Sequence, residues 1–91
     1  MEKSIFTQQY RVLLDLLRER RRGAGVTQVE LAKRLRRTQS FVSKAERGEI
    51  RLDVVQLRTI CLAIGTTLGE FIAEFERRIS RPKRRPRPDS A

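Results

Sequence analysis

Four helix-start signals punctuate this chain, at Thr27, Thr38, Asp53 and Thr67, and the first two stand eleven residues apart. Thr27-Gln28-Val29-Glu30 has the spacing of a capping box, in which the threonine hydroxyl meets the N3 amide and the glutamate reaches back. Leu31, Ala32 and Leu35 follow as the apolar stripe of a helix of about two turns. Thr38 opens another short helix through about Glu46, with Val42 and Ala45 inward and Gly48 stopping it. Helices this short are marginal in water and persist by packing their apolar stripes on neighbours. The fold must therefore supply further helices close by.

The sequence provides three. A first helix is expected to begin after Ser4 or Thr7 and to run to about Arg22. Phe6, Tyr10, Leu13 and Leu17 lie on one of its faces with Leu14 beside them, and Gly23 and Gly25 end it. Asp53 caps a fourth helix, whose inward set is Leu57, Ile60, Cys61 and Ile64 before Gly65. Thr67-Leu68-Gly69-Glu70 is a second capping-box pattern, opening a fifth helix lined by Leu68, Phe71, Ile72, Phe75 and Ile79. No alternating strand pattern and no repeat interrupts the series. The expectation is an all-α, compact five-helix bundle, one domain over residues 1–79. Residues 1–24 hold its first helix, and residues 25–79 hold the other four.

Charge divides the chain differently. Of 91 residues, 21 are Lys or Arg and 11 are Asp or Glu, a net charge of +10. Residues 18–58 carry a net +7, residues 59–76 a net −3, and residues 77–91 a net +6. Two basic regions flank an acidic, apolar one, which points to a polyanionic partner on one side of the molecule. The last segment, residues 80–91, mixes Pro82, Pro86 and Pro88 with Arg and Lys, so it reads as a disordered basic tail. Three readings of that tail stay open: it solubilises the chain, touches phosphates nonspecifically, or lies on a membrane surface.

Several functions are excluded by composition. With no histidine and one cysteine, a zinc finger, a Ser-His-Asp triad and a disulfide framework are ruled out. No Gly-rich phosphate loop is present, and no cofactor or metal is expected. No apolar run approaches the roughly 20 residues of a membrane span. The N-terminus lacks a signal-peptide pattern, so a cytoplasmic, non-enzymatic protein is expected. Five aromatics, four Phe and one Tyr, sit in no strand pattern able to stack RNA bases.

Two short helices joined by about three residues have the spacing of a helix-turn-helix, whose second helix enters the DNA major groove. Any two short helices can match that spacing, but the residues are more specific. The run from Gly25 to Ile72 resembles the lambda-repressor/Cro type of helix-turn-helix domain, the XRE family. The matching points are Thr27-Gln28 opening one helix, Leu31-Ala32 within it, Gln39 eleven residues after Gln28, and Val42-Ser43-Lys44 followed by Glu46-Arg47-Gly48.

The resemblance implies roles residue by residue. Gln39, Ser40 and Lys44 fall where the family contacts base edges: Gln suits adenine N6/N7 and Lys suits guanine O6/N7. Ser43, on the neighbouring edge, reaches either a base or a phosphate. Phe41 stands where a small or polar residue is usual, with two readings open: packing on thymine methyls, or covering the corner between the two helices. Gln28 resembles the family's phosphate-binding residue at a helix N-terminus. Thr27, Thr38, Arg37, Arg47 and Arg51 complete the expected phosphate contacts. Arg21 falls where relatives place an Arg paired with the Glu of the Glu-Arg-Gly turn, here Glu46. The turn between the helices departs from the family, with Arg36-Arg37 where Gly and an apolar residue are usual. Cys61 takes a position often held by Ala and is expected to be a small core residue.

A domain of this size reads few base pairs, so a homodimer on an inverted repeat is expected. Leu62, Phe71, Ile72, Phe75 and Ile79 form the candidate dimer surface, opposite the basic face. The functional expectation is a sequence-specific regulator of transcription acting as a repressor, with no effector-binding domain. A controller of a restriction-modification operon is an alternative within the family. An antitoxin that binds a protein toxin is another, which the absence of apolar anchors after Ile79 disfavours.

Overall fold

The computed structural model describes residues 5–80, in five helices: α1 (Ile5–Gly23), α2 (Gln28–Leu35), α3 (Gln39–Arg47), α4 (Val54–Ala63) and α5 (Leu68–Ser80). No strand occurs among the described residues. The side chain of Phe6 and the tail over residues 81–91 lie outside what is described. α5 continues through Ser80, one residue into the expected tail.

Each boundary has a local cause. Thr27, Thr38 and Asp53 are extended at the N-cap, and their side chains accept the N3 amides of Glu30, Phe41 and Gln56. The reciprocal half of the capping box is present at Asp53, where Gln56 accepts the Asp53 amide at 2.9 Å. At Thr27 and Thr67 the structure corrects the expected boxes. Glu30 turns to Arg34 at 3.2 Å, and Glu70 accepts from the Thr66 hydroxyl at 3.3 Å. A nearby guanidinium or hydroxyl outcompetes the cap amide for these carboxylates.

Helix ends need left-handed residues, and Gly48 shows why. Its φ is +82°, and a Cβ there would meet Leu14 Cδ1 of α1 at 3.2 Å. Glycine thus satisfies both the turn and the close approach of α1. The α2–α3 turn lacks this device. Arg36 itself adopts the left-handed conformation (φ 59°, ψ 41°), while the Arg37 amide donates to the Ala32 carbonyl at 2.9 Å. A non-glycine residue in this conformation costs roughly 1–2 kcal/mol.

The core runs through all five helices. Leu16, Leu17, Leu31, Cys61 and Phe71 are its most enclosed side chains, joined by Val26, Val42, Leu57, Ile60 and Ile64. Burying a Leu, Ile or Phe side chain stabilises by roughly 1.5–3 kcal/mol each. α2 packs on α3 and α4, while α1 packs on α3 and α5 and α4 closes against α5. One ion pair and one charged hydrogen bond span the long-range joints: Arg78 of α5 donates to Glu19 of α1 at 3.0 Å, and Arg34 of α2 donates to the Ala63 carbonyl ending α4 at 2.6 Å. Among the described residues no single helix is long and apolar enough to cross a membrane.

This packing corrects one assignment. Phe71, expected on a dimer surface, is fully buried within one chain. It points from α5 to the centre of the bundle, because residue 71 lies on the α5 stripe facing α1 and α4.

Candidate nucleic-acid interface

α3 divides into two faces. Val42, Ala45 and Glu46 are buried, whereas Gln39, Ser40, Lys44 and Arg47 are exposed and Ser43 is partly so. At 100° per residue the exposed positions fill one contiguous arc on the outer side of the helix. The arc presents an amide, two hydroxyls, an ammonium and a guanidinium, groups able to address base edges and phosphates.

The inner side of α3 is fixed by a buried ion pair. Arg21 of α1 donates through Nε to Glu46 Oε2 at 2.6 Å and through Nη2 to Oε1 at 3.0 Å. Its third nitrogen donates to the Val26 carbonyl at 2.9 Å, so the guanidinium also ties down the α1–α2 loop. Both side chains are almost fully buried. Burial opposes the charge on Glu46. Hydrogen bonds from Arg21 and Gln28, with the charges of Arg21 and Arg18, outweigh it and hold the carboxyl below its ordinary range.

Gln28 joins this network. Its Nε2 donates to Glu46 Oε1 at 3.0 Å, and its Oε1 accepts from Gln39 Nε2 at 3.4 Å. The start of α2 is thereby connected, through two side-chain amides, to the first exposed residue of α3. The phosphate-type position and the base-edge position inferred from sequence thus touch each other. Sequence spacing alone gave no sign that Gln28 is also a ligand of the buried glutamate.

The flanks are basic. Arg36 and Arg37 stand before α3, with Arg47 at its last turn and Arg51 in the loop beyond; all four are exposed. Arg37 lies over the Phe41 ring, 3.7 Å from its centroid. Phe41 is half-buried against the core and lines a groove with Leu35, Val55 and Ile60. Phe41 thus covers the corner between α2 and α3. Arg47 donates to Ser43 Oγ and, at 2.8 Å, to Glu49. Thr27 and Thr38 are exposed beside the N-termini of α2 and α3, their hydroxyls engaged in capping.

Arg51 revealed a contact invisible to local patterns. Its guanidinium stacks 4.2 Å from the centroid of the Tyr10 ring, and the Tyr10 hydroxyl accepts from the Leu52 amide at 3.0 Å. On α4 and α5, Leu62 and Ile72 remain 49% and 37% exposed, while Phe75 and Ile79 are half-buried. Cys61 is fully enclosed, and burial pushes its thiol up to about 11.

Comparison with known proteins agrees with this geometry. A helix-turn-helix domain family matches residues 12–75. A solved structure described as an XRE-family like protein from Pseudomonas syringae pv. tomato str. DC3000 is 47% identical, with a TM-score of 0.78. The alignment spans 86% of this chain and 93% of that one. No curated protein matches. With both the bundle and the helix pair on which its recognition face is built in common, this chain belongs to the XRE-type helix-turn-helix domain family.

Proposed function

We propose that this protein is a sequence-specific regulator of transcription that binds an inverted repeat in double-stranded DNA as a homodimer, each α3 lying in a major groove. The observation that carries the reading is the free outer face of α3, held rigid from behind by the Arg21–Glu46 pair. Gln39, Ser40 and Lys44 read base edges, with Ser43 at their margin. Gln28, Thr27, Thr38, Arg37, Arg47 and Arg51 hold the backbone on either side. Arg37 does so from the Phe41 ring, a platform that limits the side-chain entropy lost on binding.

The dimer forms through Leu62 and Ile72, with Phe75 and Ile79 at the edge of the patch, opposite the basic face. Its two recognition helices then meet half-sites about 34 Å apart. Occupying a promoter in this way represses it by exclusion. The test is selection of bound duplexes from random sequence. The reading expects a two-fold-symmetric site with half-sites one helical turn apart. Recovery of unrelated sequences, with affinity collapsing uniformly as salt rises, would overturn it.

A further inference from the structure

Beside the helix-turn-helix lies a notch of about 120 Å³, formed where the N-terminal half of α1 meets the end of α3 and the loop after it. Thr7, Tyr10, Arg11 and Leu14 supply one wall, and Arg47, Gly48 and Arg51 supply the other. Three guanidinium groups therefore border one small concavity. Arg47 already has Glu49 as a partner, at 2.8 Å. Among the described residues neither Arg11 nor Arg51 has an acidic partner, so the notch retains uncompensated positive charge.

Its floor is built rather than incidental. Gly48 lets α1 approach to contact distance, and Tyr10 fixes the loop by accepting the Leu52 amide at 3.0 Å. The Tyr10 ring also holds the Arg51 guanidinium in place, 4.2 Å away. Having accepted from Leu52, the phenol keeps its own O–H to donate. Two guanidinium groups and a hydroxyl thus border a concavity able to donate hydrogen bonds to an oxyanion.

We propose that this notch is a phosphate seat for the DNA backbone, in which Arg11 of α1 and Arg51 clamp one phosphodiester while Tyr10 positions Arg51 and donates to the same group. The inference rests on the DNA-binding reading above and extends the footprint to the first helix. Arg47 links the two, since it stands both on the outer face of α3 and on the wall of the notch. A duplex laid along α3 brings its backbone past Arg47 and then to the seat. Arg11 is the new contact, and its exposed position on α1 leaves the core untouched when it is changed.

The experiment is a salt titration of affinity for a random-sequence duplex, using the full chain and its Arg11→Gln, Arg11→Lys and Arg77→Gln variants. Each phosphate neutralised contributes about 0.9 to the slope of log affinity against log salt. Arg11→Gln is expected to make the slope shallower by about 0.9, while Arg11→Lys keeps the wild-type slope, as does Arg77→Gln, because Arg77 of α5 is exposed, paired with Glu74 and absent from the wall of the notch. An unchanged slope in Arg11→Gln would overturn the seat and leave DNA binding through α3 intact. An equal loss in Arg77→Gln would also overturn it, because positive charge anywhere would then serve. A wild type that fails to bind duplex at all would overturn the functional reading and the seat together.

Discussion

Replacing Arg21 with methionine removes the guanidinium while keeping an apolar stem of similar reach. Three hydrogen bonds disappear: two to Glu46, at 2.6 and 3.0 Å, and one to the Val26 carbonyl, at 2.9 Å. Glu46, 4% exposed, is left buried with Gln28 at 3.0 Å and the Arg18 guanidinium at 3.9 Å. Breaking a buried pair from one side costs about 3–5 kcal/mol. Against the 5–15 kcal/mol that holds a domain of this size together, that is a large fraction. It corresponds to a melting temperature lower by about 12–40 °C at roughly 4–8 °C per kcal/mol. Thermal and urea unfolding followed by far-ultraviolet circular dichroism measure it directly. The sign with pH is equally specific. In the wild type Glu46 is held below its ordinary value, so its contribution is full above the unfolded-state value of about 4.3 and is lost as pH falls through the folded one. Arg21→Met removes the first of the influences that lower Glu46 and leaves burial opposed by Gln28 and Arg18 alone, so the variant's deficit is greatest at neutral pH and shrinks on acidification. The double variant Arg21→Met/Glu46→Leu, with neither charge left to bury, recovers most of the loss. A single-variant cost below about 1 kcal/mol, or a double variant as poor as the sum of the singles, would refute the role given to the pair.

Four further predictions rest on the same geometry. Arg36→Gly relieves about 1–2 kcal/mol of left-handed strain and gives back about 0.5–1 in unfolded-chain entropy, so the domain should melt about 2–8 °C higher; a lower melting temperature would contradict the strain. Phe71→Ala should cost about 3–5 kcal/mol of stability, whereas Leu62→Asp with Ile72→Asp should yield a folded monomer by analytical ultracentrifugation. With its thiol raised to about 11, Cys61 is ionised in only about one molecule in a thousand near pH 8, so alkylation should proceed at the rate of global unfolding. Rapid labelling of the native protein would mean that the α4–α5 core opens locally.

Much of this fold is legible in the sequence because its helices are short and individually capped. Thr27, Thr38 and Asp53 each sit one residue before an observed helix start, since a side-chain acceptor three residues from an orphan amide acts locally. What escaped is non-local. Leu16 and Val26 are core residues that the periodic reading passed over. Leu16 adjoins Leu17 in sequence, and a helix touching both α3 and α5 buries a wider stripe than a single face. Phe71 was misassigned because an apolar residue facing the core and one facing a partner share the same helical period. The candidate interface shows the same division. The free face of α3 follows from its periodicity. The Gln28–Glu46 bond, the Arg37–Phe41 stack and the Tyr10–Leu52 bond depend on how helices are brought together. Arg36 was visible in the sequence as a departure from the family pattern, and the structure shows that it takes the left-handed conformation and bears the strain.

The central claim is that α3 reads bases, and the most direct measurement compares wild type with Gln39→Ala on a selected site and on a scrambled duplex at one fixed salt concentration. Gln39 is exposed and its recorded bond, to Gln28, is a weak one at 3.4 Å, so the fold should be unaffected. The account predicts that the preference for the selected site falls by about 1–3 kcal/mol, roughly 5- to 150-fold, while scrambled binding barely changes. An equal loss on both duplexes, or no loss on either, would show that Gln39 does not read the sequence and would contradict the placement of α3 in the groove.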